Sequence, residues 1–181
     1  MAFSTDKNSM QKIRTGALAC LAFSTALAHA QPIDNDAVDA RSAESELSYK
    51  AYIHSSKRIK CLYGYVADKT GDHAAAIAIF EDCIARWNDV YSMIWLAQIY
   101  ESGVGIQQDF EKSTALLKRG AYVDNESGYS SLARYHYGVA LAEGRGTPKN
   151  RTEAAIWLKK AAGEGVKDAA EYLENLSTRP E

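Results

Sequence analysis

Glu101-Ser102-Gly103-Val104-Gly105 and Ala142-Glu143-Gly144-Arg145-Gly146 are one motif met twice, 41 residues apart. The same displacement puts Asp109 on Asn150, Leu116 on Trp157, Leu117 on Leu158, Lys118 on Lys159 and Ala121 on Ala162. It also puts Ala97 on Gly138. Each copy reads as a helix, a Gly-x-Gly loop and a second helix, because apolar residues recur at spacings of three and four with no strand-type alternation. A repeat of this period is the signature of an array in which neighbouring units bury one another's apolar faces.

Working upstream, a shorter third unit appears. Leu62-Tyr63-Gly64-Tyr65 opens it, Gly71-Asp72 turns it, and Ala74 to Trp87 supplies its second helix. The step between small residues is 12 here, Gly64 to Ala76. In the later units it is 16, Ala97 to Ser113 and Gly138 to Ala154, so those loops hold four extra residues. Asp168-Ala169-Ala170-Glu171-Tyr172-Leu173 reads as the opening helix of a further, truncated unit. Asp72 reads as a helix N-cap rather than as half of a catalytic Asp-His pair.

These residues carry a family resemblance. Gly64, Ala76 and Phe80 resemble the eighth, twentieth and twenty-fourth places of the 34-residue tetratricopeptide pattern. The longer units are similar to Sel1-like repeats, whose second helix closes on W-x-x-K-A-A after a G-x-G loop. Trp157-Leu158-Lys159-Lys160-Ala161-Ala162 matches that signature, and Leu116-Leu117-Lys118-Arg119-Gly120-Ala121 matches with the Trp lost. The resemblance implies an all-α fold, a right-handed α-solenoid of antiparallel helix hairpins with about three repeats plus terminal helices. The repeat domain is expected over 57–176, after a capping helix over 41–56 and before a tail at 177–181.

The repeat also implies a cross-link. If Gly64 faces Phe80, the two position numbers sum to 144, and so do those of Cys61 and Cys83. Facing residues of close-packed antiparallel helices come within disulfide range. The competing reading is a pair of separate buried thiols.

Residues 1–30 differ from the rest. Lys7, Lys12 and Arg14 precede the uncharged run Gly16 to Leu27, and Ala28-His29-Ala30 follows. This is the order of a secretory signal peptide cleaved after Ala30, with an amphipathic helix or a permanent anchor as the competing readings. The apolar run has 12 residues, whereas a spanning helix needs about 20. Residues 31–40 are expected to be a flexible acidic lead-in, and the expected location is periplasmic or secreted. No later stretch is apolar enough to form a transmembrane segment.

Composition closes off several functions. The chain has 181 residues, 46% hydrophobic and 24% charged, with net charge −2. Without the leader, which carries three bases and Asp6, the net charge becomes −4. That balance gives no reason to expect nucleic acid as a partner. His54, His73 and His136 are scattered, with no metal-ligand spacing, and neither G-x-S-x-G nor a Gly-rich phosphate loop after a strand occurs. No catalytic residue, metal or cofactor is expected.

What the resemblance implies instead is a non-enzymatic scaffold that binds a protein or peptide partner in a concave groove, as an adaptor in envelope assembly, signalling or virulence. The first helix of each pair lines such a groove. The repeat spacing places Arg58, Tyr65 and Asp68 there from the first unit, Tyr91, Ile94, Gln98 and Glu101 from the second, and Tyr135, Val139 and Glu143 from the third. Tyrosine dominates the aromatics, 11 against 3 Trp and 4 Phe, and its apolar body with a polar tip suits recognition. Arg134-Tyr135-His136-Tyr137 is the densest cluster, although at least two of its residues must point into the stack. Tyr100 and Tyr137 are expected to pack between hairpins. The alternative implied by disulfide-bearing relatives is a cell-wall or β-lactam-binding protein with weak hydrolase activity. The exposed ends of a short stack would also allow self-association.

Overall fold

The structure is a computed structural model that describes residues 48–124 and 128–178. The leader, the acidic lead-in and residues 41–47 of the expected cap lie outside the described residues. Seven α-helices follow one another: α1 Lys60–Lys69, α2 His73–Trp87, α3 Val90–Ser102, α4 Phe110–Ala121, α5 Tyr129–Glu143, α6 Arg151–Gly163 and α7 Lys167–Thr178. There is no strand among the described residues. Helices α1–α2, α3–α4 and α5–α6 form three hairpins, and α7 packs on the third.

The helix starts are capped by the side chains the repeat aligns. Asp72 accepts from the Ala75 N–H at 3.1 Å, Asp109 from Lys112 at 2.9 Å and Asn150 from Glu153 at 3.0 Å. Each satisfies a donor that the first helical turn leaves without a partner. The loops share their closing bond. The Asp109 N–H donates to the Tyr100 carbonyl at 2.9 Å, and the Asn150 N–H to the Leu141 carbonyl at 2.8 Å. The first glycine of each loop, Gly103 or Gly144, ends its helix at positive φ (71° and 76°).

The second glycine does something the sequence pattern did not suggest. A Cβ on Gly105 would collide with the His73 side chain, and one on Gly146 with the Phe110 carbonyl. His73 and Phe110 open the second helix of the preceding hairpin. Each unit therefore seats its loop on the head of the helix before it, and only a bare Cα fits.

Within the first hairpin the expected pairing holds. A Cβ on Gly64 would lie 2.7 Å from the Phe80 ring, so the glycine is what lets the ring pack against α1. Cys61 and Cys83 form a disulfide with Cα atoms 6.0 Å apart.

The expected helix over 41–56 is corrected over its described part. Residues Tyr49–Tyr52 make one 3-10 turn, and the chain then bends to α1. The reason is a tether. The wholly buried Lys60 ammonium donates to the Ile53 carbonyl at 2.5 Å, pairs with the Asp82 carboxylate and lies 5.4 Å from the Trp87 ring centre. Tyr52 stacks on Tyr63 with ring centres 4.5 Å apart. This strap closes the disulfide end of the first hairpin.

Two rows of helices result. The first helices approach in series, α1 to α3, α3 to α5 and α5 to α7, whereas α2, α4 and α6 stand apart from one another. A row that touches while its companion row splays is the inner row of a curve. The surface of α1, α3 and α5 turned away from the second helices is thus the concave face.

Candidate partner-binding face

An unbroken run of aromatic rings lies on the inner row. Tyr65 and Trp95 are 4.5 Å apart, Trp95 and Tyr91 6.1 Å, and Tyr91 and Tyr129 5.2 Å between centres. The run crosses from α1 through α3 to α5, so the three hairpins together fix its spacing. Lys69 places its ammonium 5.4 Å from the Tyr65 ring and 5.1 Å from the Trp95 ring. Burial and the nearby Tyr129 and Tyr65 hydroxyls push the Tyr91 phenol up to about 12, which keeps it neutral across ordinary pH.

At one end of the run a groove of about 320 Å³ opens between Ile59 and Leu62 on one side and Tyr91 and Tyr129 on the other. Ile59 is 53% and Leu62 46% exposed, unusual for large apolar side chains on one helix face. Arg58 stands at the rim. It donates to Asp89 at 2.9 Å, and Asp89 in turn accepts from the Ser92 N–H and hydroxyl at 3.0 and 2.7 Å. Asp89 is thereby both the cap of α3 and the anchor of Arg58.

The other expected groove residues divide. Gln98 is exposed in a second cleft of about 350 Å³ that also holds Asp68, His73 and Trp95. Glu101 is engaged by Arg145. Tyr135 is half-buried beside His136, with ring centres 4.9 Å apart, and its phenol is raised by burial and by Asp168 and Glu143. Ile94 is a correction: only 3% exposed, it packs with Ala97, Leu117 and Ala121. One turn from Ala97, it belongs to the seam between α3 and α4.

Arg134 is the larger correction. It is 3% exposed and presents no surface to a partner. Its Nε donates to the Ala121 carbonyl at 2.9 Å and its Nη2 to the Val123 carbonyl at 3.1 Å. Nη1 meets both Glu164 oxygens, and Nη2 also meets Asp124 at 2.5 Å. The guanidinium rivets the end of α4 to the end of α6, and needs five donors in a planar fork to do so. Tyr100 is buried against the preceding hairpin, as expected, and Tyr137 is buried with its ring beside Trp157 of its own hairpin.

The outer side holds a groove the repeat spacing did not point to. Where α2 and α4 stand apart, Ile84, Leu96, Tyr100 and Leu116 line about 440 Å³, with Glu81 and Arg119 at its edge. No sequence pattern marked it, because its width is set by the splay of two helices that do not touch. Among the described residues no group of His, Cys, Asp and Glu could hold a metal ion, and no helix is long and apolar enough to cross a membrane.

The family model described as Sel1 repeat matches residues 90–125 and 131–166, which are the α3–α4 and α5–α6 hairpins. These two hairpins are Sel1 repeats. Sel1-repeat-containing protein YjcO of Escherichia coli (strain K12) is 30% identical over 111 residues, 59% of this chain and 47% of that one. The chain thus spans about half the length of the curated relatives it matches. Among solved structures, a Sel1 repeat protein from Oxalobacter formigenes aligns with a TM-score of 0.57 at 22% identity, over 78% of this chain and 98% of the other. Helicobacter pylori cysteine rich protein B aligns at 0.53 and 18%, over 77% and 93%. At such identities the likeness concerns the fold, an all-α helical repeat. Sel1 repeats generally serve as scaffolds for protein–protein interaction rather than as enzymes. The tight-turned first hairpin lies outside the two matched segments, and it is the hairpin that carries the disulfide.

Proposed function

We propose that this chain is an exported, non-enzymatic scaffold that holds a protein or peptide partner on its concave face, as an adaptor in envelope assembly, signalling or virulence. The observation that carries this reading is the aromatic run Tyr65, Trp95, Tyr91 and Tyr129 beside the exposed Ile59 and Leu62. Rigid aromatic groups with polar tips, next to apolar surface that a free protein gains nothing by exposing, are what a recognition face needs. Export is supported by the leader-like residues 1–30 and by the disulfide, a bond that is rare in reducing compartments. The expected site is periplasmic or outside the cell. No observation favours the cell-wall or β-lactam alternative.

Leu62→Glu, Gln98→Ala and Tyr129→Ala change exposed groups, and of the ring contacts between hairpins only that of Tyr129 with Tyr91 is given up. Proximity labelling in the native host, followed by capture with the purified chain, identifies a partner. Binding of that partner is expected to fall at least tenfold in the triple variant while its melting temperature stays within a few degrees. Undiminished binding by a folded triple variant rules out the concave face. The location is read separately by fractionating cells: a full-length, uncleaved chain in the cytoplasm contradicts export.

A further inference from the structure

The two seams between hairpins differ at the middle residue of the Gly-x-Gly loop, and the first seam lacks the loop arginine that the second supplies. In the second seam the middle residue of Gly144-Arg145-Gly146 is an arginine. Its Nη1 pairs with Glu101 on α3 and its Nε lies 2.8 Å from Glu143 on α5. The Arg145 carbonyl also accepts from the Thr114 hydroxyl at 2.7 Å, which fixes the loop on α4. In the first seam the corresponding loop is Gly103-Val104-Gly105, and Asp68 on α1 stands where Glu101 stands in the second. Val104 is 48% exposed and supplies no charge. The cleft of about 350 Å³ lies here, with Asp68, Trp95, Gln98 and Val104 among its walls.

We propose that this cleft receives a guanidinium side chain of the bound partner, in the place that the chain's own Arg145 fills one unit further on. The inference rests on the partner-binding reading above and names the chemistry of one contact in it. Three features of the cleft favour a cation. Asp68 keeps its carboxylate only slightly exposed and pointed at the seam, where it meets His73 Nδ1 at 3.0 Å. Trp95 and Tyr65 present ring faces, which attract a cation through their quadrupoles. A cation already samples the place: the half-exposed Lys69 ammonium lies 2.9 Å from Asp68 and over both rings. Lysine holds such a site as a point charge on a flexible stem, whereas a guanidinium would take over Asp68 Oδ2 from Lys69, leave Oδ1 to His73 and stack on Trp95. Gln98 adds an amide oxygen within the same walls.

The probe is N-acetyl-arginine amide, titrated into the ¹⁵N-labelled full chain and read from the Trp95 indole and Gln98 side-chain signals. The citrulline analogue, equal in shape and uncharged, is the control. Arginine amide is expected to saturate those signals in the millimolar range, and citrulline amide to bind at least tenfold more weakly. Asp68→Asn should weaken arginine binding about tenfold, the scale of one charge-assisted contact. Lys69→Met should tighten it by removing the internal competitor. Val104→Arg should abolish it, because the new side chain would fill the cleft as Arg145 does. Equal binding of citrulline, or unchanged arginine binding by a folded Val104→Arg variant, overturns the proposal. Either result leaves the concave-face reading standing, since the probe needs no partner protein and Leu62→Glu with Tyr129→Ala, both outside this cleft, tests that face on its own.

Discussion

Arg134 donates to both carboxylate oxygens of Glu164, at 2.8 and 2.7 Å, from a side chain that the stack has closed off from solvent. The same guanidinium holds the last carbonyls of α4, so one residue joins the second and third hairpins. Arg134→Ala would leave those carbonyls without the guanidinium and Glu164 with Ser131 as its remaining hydrogen-bond donor. Removing one side of a buried ion pair costs about 3–5 kcal/mol. Urea unfolding is expected to show a loss of that size, and Arg134→Lys, which keeps the charge but not the fork, a smaller one. A loss under 1 kcal/mol for the alanine variant would mean that the rivet carries no weight.

Acid should destabilise the fold in two steps. Burial holds His136 below its ordinary value of 6.5, against the opposing charge of Asp168. Its folded pKa is depressed, so the unfolded chain takes up a proton that the folded chain refuses. Stability is whole above the unfolded pKa and falls as pH drops from there through the folded value. The second step belongs to Asp68, Asp82 and Glu164. Burial pushes each carboxyl up, but hydrogen bonds from Lys69 and His73, from Lys60 and Arg86, and from Arg134 and Ser131 hold them below the usual range. Their contribution is present above the ordinary carboxylate range, near pH 4, and is lost below it. Urea midpoints at pH 7.5, 5.5 and 3.5 read both steps. His136→Gln should flatten the upper one, and a wild-type midpoint unchanged between 7.5 and 5.5 contradicts it.

The two kinds of positive-φ glycine should respond differently to alanine. Gly71 has φ of 93° and open space where a Cβ would go, so Gly71→Ala pays the backbone term alone, about 1–2 kcal/mol. Gly146 has φ of 62° and the Phe110 backbone in the way. Gly146→Ala adds the cost of parting a packed seam, for about 3–5 kcal/mol in all. Equal losses at the two sites would show that the loop does not seat on α4.

Opening the disulfide should cost about 3 kcal/mol, the loop-closure entropy of 22 residues. For a chain of this length that is roughly a 10 °C fall in melting temperature. Thermal melts of the oxidised chain and of Cys61→Ser/Cys83→Ser measure it. A shift under 2 °C would mean that the Lys60 tether and the Phe80 contact already hold the hairpin closed.

The disulfide was legible before any coordinates because antiparallel pairing turns facing into arithmetic. Once Gly64 is set against Phe80, Cys61 and Cys83 follow, and the 6.0 Å between their Cα atoms agrees. The cap Asp72 was equally readable, since its partner lies three residues away. Arg134 was not. A charged residue beside two tyrosines reads as surface, and what buries it is a pair of carbonyls on another hairpin, at Ala121 and Val123. Lys60 hid for the same reason, its partners being Ile53 and Asp82. Ile94 was misplaced because spacing carried over from a shorter repeat does not resolve which flank of α3 faces α4. The groove behind α2 and α4 depends on how far two non-adjacent helices splay, a quantity no local pattern encodes.

The Cys61–Cys83 bridge also decides how this molecule would carry a load. A pull between Ser48 and Thr178 passes through the sulfur atoms to α3 and bypasses the turn at Gly71 altogether. The α3–α4 and α5–α6 hairpins can be drawn out to their full contour, but the stretch between the cysteines stays slack. The extended chain is therefore shorter by about 70 Å than its residue number suggests, at about 3.5 Å per residue over the 22-residue separation less the bridge itself. Reduction would release that hidden length in a single step.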